Sequence, residues 1–178
     1  GNIHQSQKDN QLALEYFHKS LKMYEKLEHK RGISTLLNNI GFVYFKLKNN
    51  KKAMAYYRKS INIRKEINDK AGIASCLNNI ASAFENENNI DSSMYYYQKC
   101  IDIYAEINNR NGLAIIHNNL ARNYAEIGQV KKAEQYALKS LKIAQEIKSP
   151  SNIKTVASTL SDLYEKRLFK LLNSLKHK

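Results

Sequence analysis

The sequence predicts an all-α fold of stacked antiparallel helix pairs, and three observations support this prediction. Its 178 residues include only six Gly and one Pro, too few turn-forming residues for an all-β or loop-rich fold. Short motifs recur at a spacing of forty residues, which is typical of repeat architectures. Apolar residues within each repeat follow steps of three and four, the period of an amphipathic helix.

Several residue types mark the forty-residue repeat. The Asn-Asn dipeptide occurs at 38–39, 78–79 and 118–119. Tyrosine and lysine form two ladders with the same step, Tyr16, Tyr56, Tyr96 and Tyr136, and Lys19, Lys59, Lys99 and Lys139. We therefore predict a single array, in which 1–30 is a partial repeat formed mainly by a second helix, 31–70, 71–110 and 111–150 are full repeats, and 151–178 is a half repeat with a C-terminal capping helix.

Each full repeat is predicted to hold two helices separated by a short polar turn. The turns include 48–50, 87–89 and 128–129, where Asn or Asp can cap the next helix by accepting a backbone N–H. Glycines or Asn at the forty-residue step mark the breaks between repeats. The predicted helices are about 9–28, 31–47, 51–67, 71–87, 91–107, 111–127, 131–147 and 151–174.

The repeat positions resemble those of the tetratricopeptide repeat (TPR), in which small residues let paired helices approach and aromatic residues fill the gaps. The matching residues are Leu37, Ile40, Gly41, Tyr44, Ala53, Tyr57 and Ser60; Leu77, Ile80, Ala81, Phe84, Ser93, Tyr97 and Cys100; and His117, Leu120, Ala121, Tyr124, Ala133, Ala137 and Ser140. The period of forty exceeds the usual 34, and Lys65 stands where a Pro is usual. This longer form is similar to repeats of bacterial signalling proteins, including sensor histidine kinases, LuxR-type regulators and peptide-responsive regulators, and of the kinesin light chain.

The resemblance implies a right-handed superhelical solenoid whose concave groove is lined by the first helix of each pair. It further implies a non-catalytic scaffold that binds a protein or peptide partner there, and in a bacterial sensor it would serve a larger signalling protein. The candidate partner-binding residues are Asn38, Asn39, Phe42, Phe45, Lys46, Asn78, Asn79, Ser82, Asn86, Asn118, Asn119 and Arg122.

Two alternatives stay open for these residues. Asn39, Asn79 and Asn119 can pair with the backbone amides of an extended peptide, since each side chain carries an acceptor and two donors. They can equally bond to the adjacent repeat and hold the stack together. Phe42 and Phe45 either anchor a partner side chain or pack against the preceding helix.

The net charge of +13 raises the alternative of a basic surface that binds nucleic acid or another anionic surface. In the predicted groove, however, two cations are balanced by Glu85 and Glu126. The excess of positive charge lies on the second helices, which include Arg64, and in the C-terminal tail. The cations of the tail are Lys166, Arg167, Lys170, Lys176 and Lys178. We expect most of these to be solvated, which favours a protein partner over nucleic acid. Architectural self-association, such as a homodimer through the solenoid ends, is a third alternative.

No catalytic or cofactor motif is present, so we expect no enzyme activity, cofactor or metal. Cys76 and Cys100 fit no metal spacing and are expected to be buried thiols, and His117 is expected to be a packing residue. No apolar run approaches the length of a membrane span, and the mean hydropathy is −0.59. The start shows no signal-peptide pattern. The compartment stays open, with the cytoplasm favoured over the periplasm.

Overall fold

The computed structural model describes residues 2–176, and within them the side chains of 9–169, 172 and 173. This part of the chain forms eight α-helices and no strand. The helices are α1 (Asn2–Lys26), α2 (Lys30–Lys46), α3 (Asn50–Glu66), α4 (Lys70–Asn86), α5 (Ile90–Glu106), α6 (Arg110–Glu126), α7 (Val130–Glu146) and α8 (Pro150–Lys176). The predicted all-α fold of helix pairs is confirmed, and the predicted bounds of α2 to α7 lie within one residue of these. Only α1 differs clearly, because it begins at Asn2 rather than near residue 9.

A turn that recurs every twenty residues sets the length of the inner helices. At the end of α2, Lys48 adopts a left-handed backbone with φ 58°. The amide of Asn49 donates to Tyr44 O at 2.9 Å and that of Lys48 to Phe45 O at 2.9 Å, a helix-ending pattern of the Schellman type. The side chain of Asn49 then accepts from the amide of Lys52 at 3.1 Å and caps α3. Left-handed residues recur at Glu28, Asn68, Asn88, Asn108, Gly128 and Lys148.

The chain divides into two compact units, residues 1–99 and 100–178, and the division falls within α5. In the first unit the core between α3 and α4 contains Ala53, Tyr57, Ile61, Cys76 and Ile80. Tyr57 is fully buried. A Cβ at Gly41 would come within 2.7 Å of the Tyr57 ring. Glycine at this position therefore allows α2 to pack closely on the large side chain of α3.

The core of the second unit lies between α6, α7 and α8. It contains Ala121, Ala133, Ala137, Val156, Leu160 and Leu163. Ala137 occupies the repeat position of Tyr57, and Ala121 occupies that of Gly41. Ala137 therefore gives α7 a smaller side chain than the tyrosine of the first unit. Ala121 gives α6 a Cβ where the first unit has a glycine.

Candidate partner-binding surface

Stacked aromatic pairs join the first and second helix of a repeat. In the first unit the rings of Tyr44 and Tyr56 lie 5.4 Å apart at 13°. Lys52 lies over Tyr44 at 5.1 Å, and Lys59 lies over Tyr56 at 5.6 Å. The second unit repeats this arrangement with Tyr124 and Tyr136 (5.1 Å), Lys132 (5.3 Å) and Lys139 (5.1 Å). Part of the basic excess thus packs on tyrosine rings as cation–π contacts.

An aromatic cluster is exposed on α2. The side chain of Phe42 is 45% exposed, and its ring stacks on that of Phe45 with centroids 6.2 Å apart. Lys46 Nζ lies 5.2 Å from the centre of the Phe42 ring. Phe45 itself is half-buried and packs against the core of the first unit. Of the two alternatives for this pair, Phe45 is therefore partly a packing residue, whereas Phe42 presents its ring to solvent.

Asn39 lies one helical turn before Phe42 and is half-buried. Its side chain makes no hydrogen bond to any other residue that the structure describes. An amide in this position retains its acceptor and both donors. Together with Phe42, Phe45 and Lys46, it forms a cluster on α2 that we call the α2 cluster.

Asn38 and Asn79 make a bond that holds α2 and α4 together. The Nδ2 of Asn79 donates to Asn38 Oδ1 at 3.0 Å, and the thiol of Cys76 donates to the same oxygen at 3.3 Å. Burial raises the pKa of this thiol, opposed by its hydrogen bond to Ser60. In this pair the Asn residues bond between repeats, which is one of the two roles that the sequence left open.

The same network continues to a buried ion pair that the sequence did not predict. Arg64 Nε donates to Ser60 Oγ at 3.1 Å, and its guanidinium pairs with Asp69. Ser60 donates to Ser34 O at 2.7 Å, and Asp69 Oδ1 accepts from the amide of Gly72 at 3.0 Å. Arg64 is an exception to the expectation that most of these cations are solvated, because its side chain is buried. The sequence did contain a signal for this ion pair. Position 64 is Arg, whereas the equivalent positions of the other repeats are Tyr or Ala, and Asp69 follows five residues later.

Three further predicted residues lie on α4. Ser82 Oγ is 3.3 Å from the hydroxyl of the buried Tyr97. Asn86 is exposed at the end of the helix, and Asn78 is half-buried. Ser82 is therefore tied to the core of the first unit, and Asn86 is the most accessible of the three.

The predicted residues of the second unit differ in burial. On α6, Asn118 is only 5% exposed, and its Oδ1 has no hydrogen-bond partner among the described residues. Asn119 is half-buried, and Arg122 is exposed. His117 is half-buried, with its ring 5.7 Å from that of Tyr136. Burial, and then the charge of Lys139, lowers the pKa of His117 to about 4. This placement is that of a packing residue, as predicted.

An open groove of about 950 Å³ lies between α7 and the far part of α8. Leu163, Lys166, Arg167 and Phe169 of α8 line one side of it. Glu134 of α7 accepts a hydrogen bond from the hydroxyl of Tyr164 at 2.9 Å. The basic tail predicted from the sequence is thus mixed with acidic side chains here. The side chains of Lys170 and Lys176, and Lys178 as a whole, lie outside the described residues.

Membrane-spanning helices and metal-binding groups are both absent from the residues that the structure describes. None of their helices is both long and apolar enough to cross a membrane. Their His, Cys, Asp and Glu side chains nowhere gather in a group of three that would suit a metal ion. Both cysteines are buried free thiols, as expected, and burial raises the pKa of Cys100 to about 12.

The chain belongs to the tetratricopeptide repeat family. The family model matches residues 1–66, 32–106 and 72–146 in overlapping stretches. No curated protein sequence matches the chain.

Solved structures share this fold at low sequence identity. The chain is similar to BtubC from P. vanneervenii, with a TM-score of 0.72, 17% identity, and coverage of 97% of this chain and 78% of that one. RapI gives a TM-score of 0.79 at 18% identity, with coverage of 95% and 47%. Aspartyl phosphate phosphatase F from Bacillus subtilis gives 0.68 at 12%, with coverage of 98% and 52%. The chain therefore spans about half the length of the last two proteins, and the likeness shows the fold alone.

Proposed function

We propose that this chain is a non-catalytic protein-interaction scaffold whose first helices bind an extended peptide segment of a partner. The observation that carries the proposal is the α2 cluster, where an exposed aromatic ring, a cation and an amide free of other described residues stand together. Aromatic side chains of this kind supply much of the binding energy at protein interfaces. An Asn side chain can pair with peptide groups whatever side chains the peptide carries.

The other predicted residues divide between the two units in this proposal. In the first unit, Asn78, Asn79 and Asn86 extend the surface of the α2 cluster along α4. In the second unit, Asn119 and Arg122 offer an amide and a cation to a partner segment. The fold shared with RapI and aspartyl phosphate phosphatase F supports a regulatory part in a larger bacterial signalling protein.

A display library of random peptides tests the proposal on the intact chain. Peptides selected by the wild type should bind at least about tenfold more weakly to Phe42→Ala, because the substitution removes the exposed ring. Asn39→Ala should weaken the same peptides by a smaller factor. Tyr95→Ala is the matched control, since Tyr95 is 58% exposed on the second helix α5 and lies under Lys99 at 4.8 Å.

Salt separates this function from the basic-surface alternative. Binding in the proposed site should persist between about 100 and about 500 mM salt, whereas binding driven by phosphate or other anionic groups should collapse. Peptides that bind Phe42→Ala and wild type equally would contradict the proposal. If their binding also vanished at high salt, the lysines of the second helices would become the leading site.

Self-association is a second candidate function. Two exposed tyrosines favour it, because they are equivalent in the repeat to two tyrosines that stack on each other. Tyr164 of α8 is equivalent to Tyr44, and Tyr16 of α1 is equivalent to Tyr56. Tyr164 is 45% exposed and Tyr16 is 61% exposed, although their equivalents stack on each other. We infer that α1 of a second copy is the occupant of the groove beside α8, where it would complete a third tyrosine stack.

Light scattering during size-exclusion chromatography tests this second candidate. The mass should rise above 20.6 kDa with concentration in the wild type and fall back in Tyr16→Ser. Tyr95→Ser, at an exposed tyrosine on α5, should behave as the wild type. A mass of one chain at every concentration would contradict self-association and leave the peptide-binding proposal untouched.

A further inference from the structure

The second unit contains a buried hydrogen-bond acceptor whose counterpart in the first unit is satisfied. Asn118 is equivalent to Asn38, eighty residues earlier, whose Oδ1 accepts from Asn79 at 3.0 Å. The residue equivalent to Asn79 is Thr159. Its hydroxyl donates within its own helix, to Thr155 O at 3.4 Å. Asn118 Oδ1 is consequently buried without a partner among the described residues.

The second donor of the first unit is also replaced. Cys76, whose thiol reaches Asn38 Oδ1 at 3.3 Å, is equivalent to Val156, which is buried and has no polar hydrogen. A buried acceptor without a donor destabilises a folded protein, because its interaction with water is lost and not replaced. Such an atom in a folded protein is therefore a candidate ligand contact.

A cavity of about 200 Å³ lies beside Asn118. Asn118 lines it together with Asn119 of α6, Ser140 of α7, and Asn152 and Thr155 of α8. Its volume is below the usual range for drug-sized ligands, about 300–1,000 Å³. It suits a single side chain rather than a whole small molecule of that size.

Three of the lining side chains already use a polar hydrogen within the protein. The hydroxyl of Ser140 donates to Ala114 O at 2.7 Å, and that of Thr155 donates to Ser151 O at 2.9 Å. Asn152 Nδ2 donates to Asn111 Oδ1 at 2.7 Å. These side chains therefore face a ligand chiefly with oxygen lone pairs. A ligand that pairs with these oxygens must bring donors.

We propose that this cavity binds the carboxamide side chain of an Asn or Gln in a partner segment. The NH₂ of the carboxamide donates to Asn118 Oδ1, which repeats the bond between Asn79 and Asn38. An ammonium group fits less well, because no acidic side chain lines the cavity and a buried charge needs a counter-charge. The identification of the ligand as part of a peptide rests on the proposed function, since Asn119 belongs to the predicted peptide-binding residues.

Nuclear magnetic resonance of the intact, ¹⁵N-labelled chain tests the chemistry without a known partner. Propionamide and 2-butanone have the same shape, but only propionamide has NH₂ donors. Propionamide should shift the amide signals of Asn118, Asn152 and Thr155 saturably, and its dissociation constant should be about fivefold lower than that of butanone, the value of one neutral hydrogen bond. Equal binding of the two probes, or shifts elsewhere in the chain only, would overturn the proposal.

Two variants locate the effect. Asn118→Leu removes the acceptor and should abolish the preference for propionamide. Thr159→Asn restores the residue of the first unit and should occupy the acceptor from within, so propionamide binding should be lost while the protein melts at a higher temperature. A propionamide preference that survives both variants would overturn the assignment to Asn118.

A second pair of probes distinguishes the source of the carboxamide. N-acetyl-asparagine N-methylamide carries peptide groups, whereas free L-asparagine carries two charges. Tighter binding of the capped compound supports a peptide ligand, and tighter binding of free asparagine would overturn that part of the proposal. The result is separable from the proposed function, because loss of peptide binding in Phe42→Ala does not depend on propionamide binding at Asn118.

Discussion

Helices α2, α3 and α4 of the first unit and helices α6, α7 and α8 of the second are built from equivalent positions but satisfy their polar groups differently. In the first unit, Arg64, Asp69 and Asn79 form a network that ends at Asn38. At the equivalent positions the second unit has Ala144, Ser149, Thr159 and Asn118. The helix arrangement therefore does not depend on the charged network.

One hydrogen bond is common to both regions. Ser60 donates to Ser34 O at 2.7 Å in the first unit, and Ser140 donates to Ala114 O at 2.7 Å in the second. This bond links the second helix to the first helix of the same repeat at a position where each hydroxyl is buried. The serine is therefore part of the framework, whereas the ion pair is an addition of the first unit.

The largest expected effect comes from removing the carboxylate of the network. Asp69→Ala leaves the Arg64 guanidinium buried without a counter-charge and removes the cap of α4. We expect the free energy of unfolding to fall by about 3–5 kcal/mol, measured by urea denaturation. Ser149→Ala is the matched control in the second unit and should cost about 1 kcal/mol or less. Equal losses would contradict the distinction between the two regions.

The next effect concerns Gly72. The ion pair of Arg64 and Asp69 occupies the space that a Cβ at this position would need. A Cβ there would overlap the Asp69 carboxylate and lie 2.5 Å from Arg64 Cζ. Gly72→Asn introduces the residue found at 152 and should cost about 2–3 kcal/mol. The cost should shrink when Arg64→Ala and Asp69→Ser are added, since this triple variant copies the second unit. Additive losses in denaturation experiments would show that the clash is not the reason for the glycine.

These two regions also show which features of the structure can be predicted from the sequence. The forty-residue ladders and the polar turns placed α2 to α7 within one residue, because helix period and capping are local properties. The ladder of Asn-Asn pairs identified Asn38 and Asn79 as important, but their mutual bond depends on the distance between α2 and α4. The burial of Arg64 and the unpaired oxygen of Asn118 likewise depend on which side chains face each other across helices. The periodicity of the sequence does not predict these contacts.

A smaller effect, with opposite signs in the two regions, is expected for the two equivalent asparagines. Asn38→Leu leaves Asn79 Nδ2 without its acceptor and the Cys76 thiol with only Ser60 Oγ as its acceptor, so it should destabilise the protein by about 1–2 kcal/mol. Asn118→Leu removes an acceptor that has no donor, so it should be neutral or stabilising by up to about 1 kcal/mol. Thermal denaturation of the two variants gives the comparison directly. Destabilisation of the same size by both would show that the two oxygens are equally satisfied.

The smallest effect concerns His117, which stands where the first unit has Leu37. Its pKa is lowered from 6.5 to about 4 in the folded protein. Between these two pH values the unfolded chain binds the proton more readily than the folded chain, so stability falls as the pH is lowered through this window. Because the ring is only partly buried, we expect a loss on the order of 1 kcal/mol. His117→Leu should remove this pH dependence and also the unpaired Nδ1.

Two controls separate the causes of this dependence on pH. His18→Leu replaces a histidine of the first unit whose ring meets the edge of Tyr56 at 6.3 Å, and it should leave the effect of His117 in place. Lys139→Met removes the nearby charge but not the burial, which is the larger cause of the lowered pKa. A titration of His117 by nuclear magnetic resonance should therefore still give a pKa well below 6.5 in Lys139→Met. A return to 6.5 would show that repulsion by lysine, and not the packing of the ring against the repeat, sets the charge of this residue.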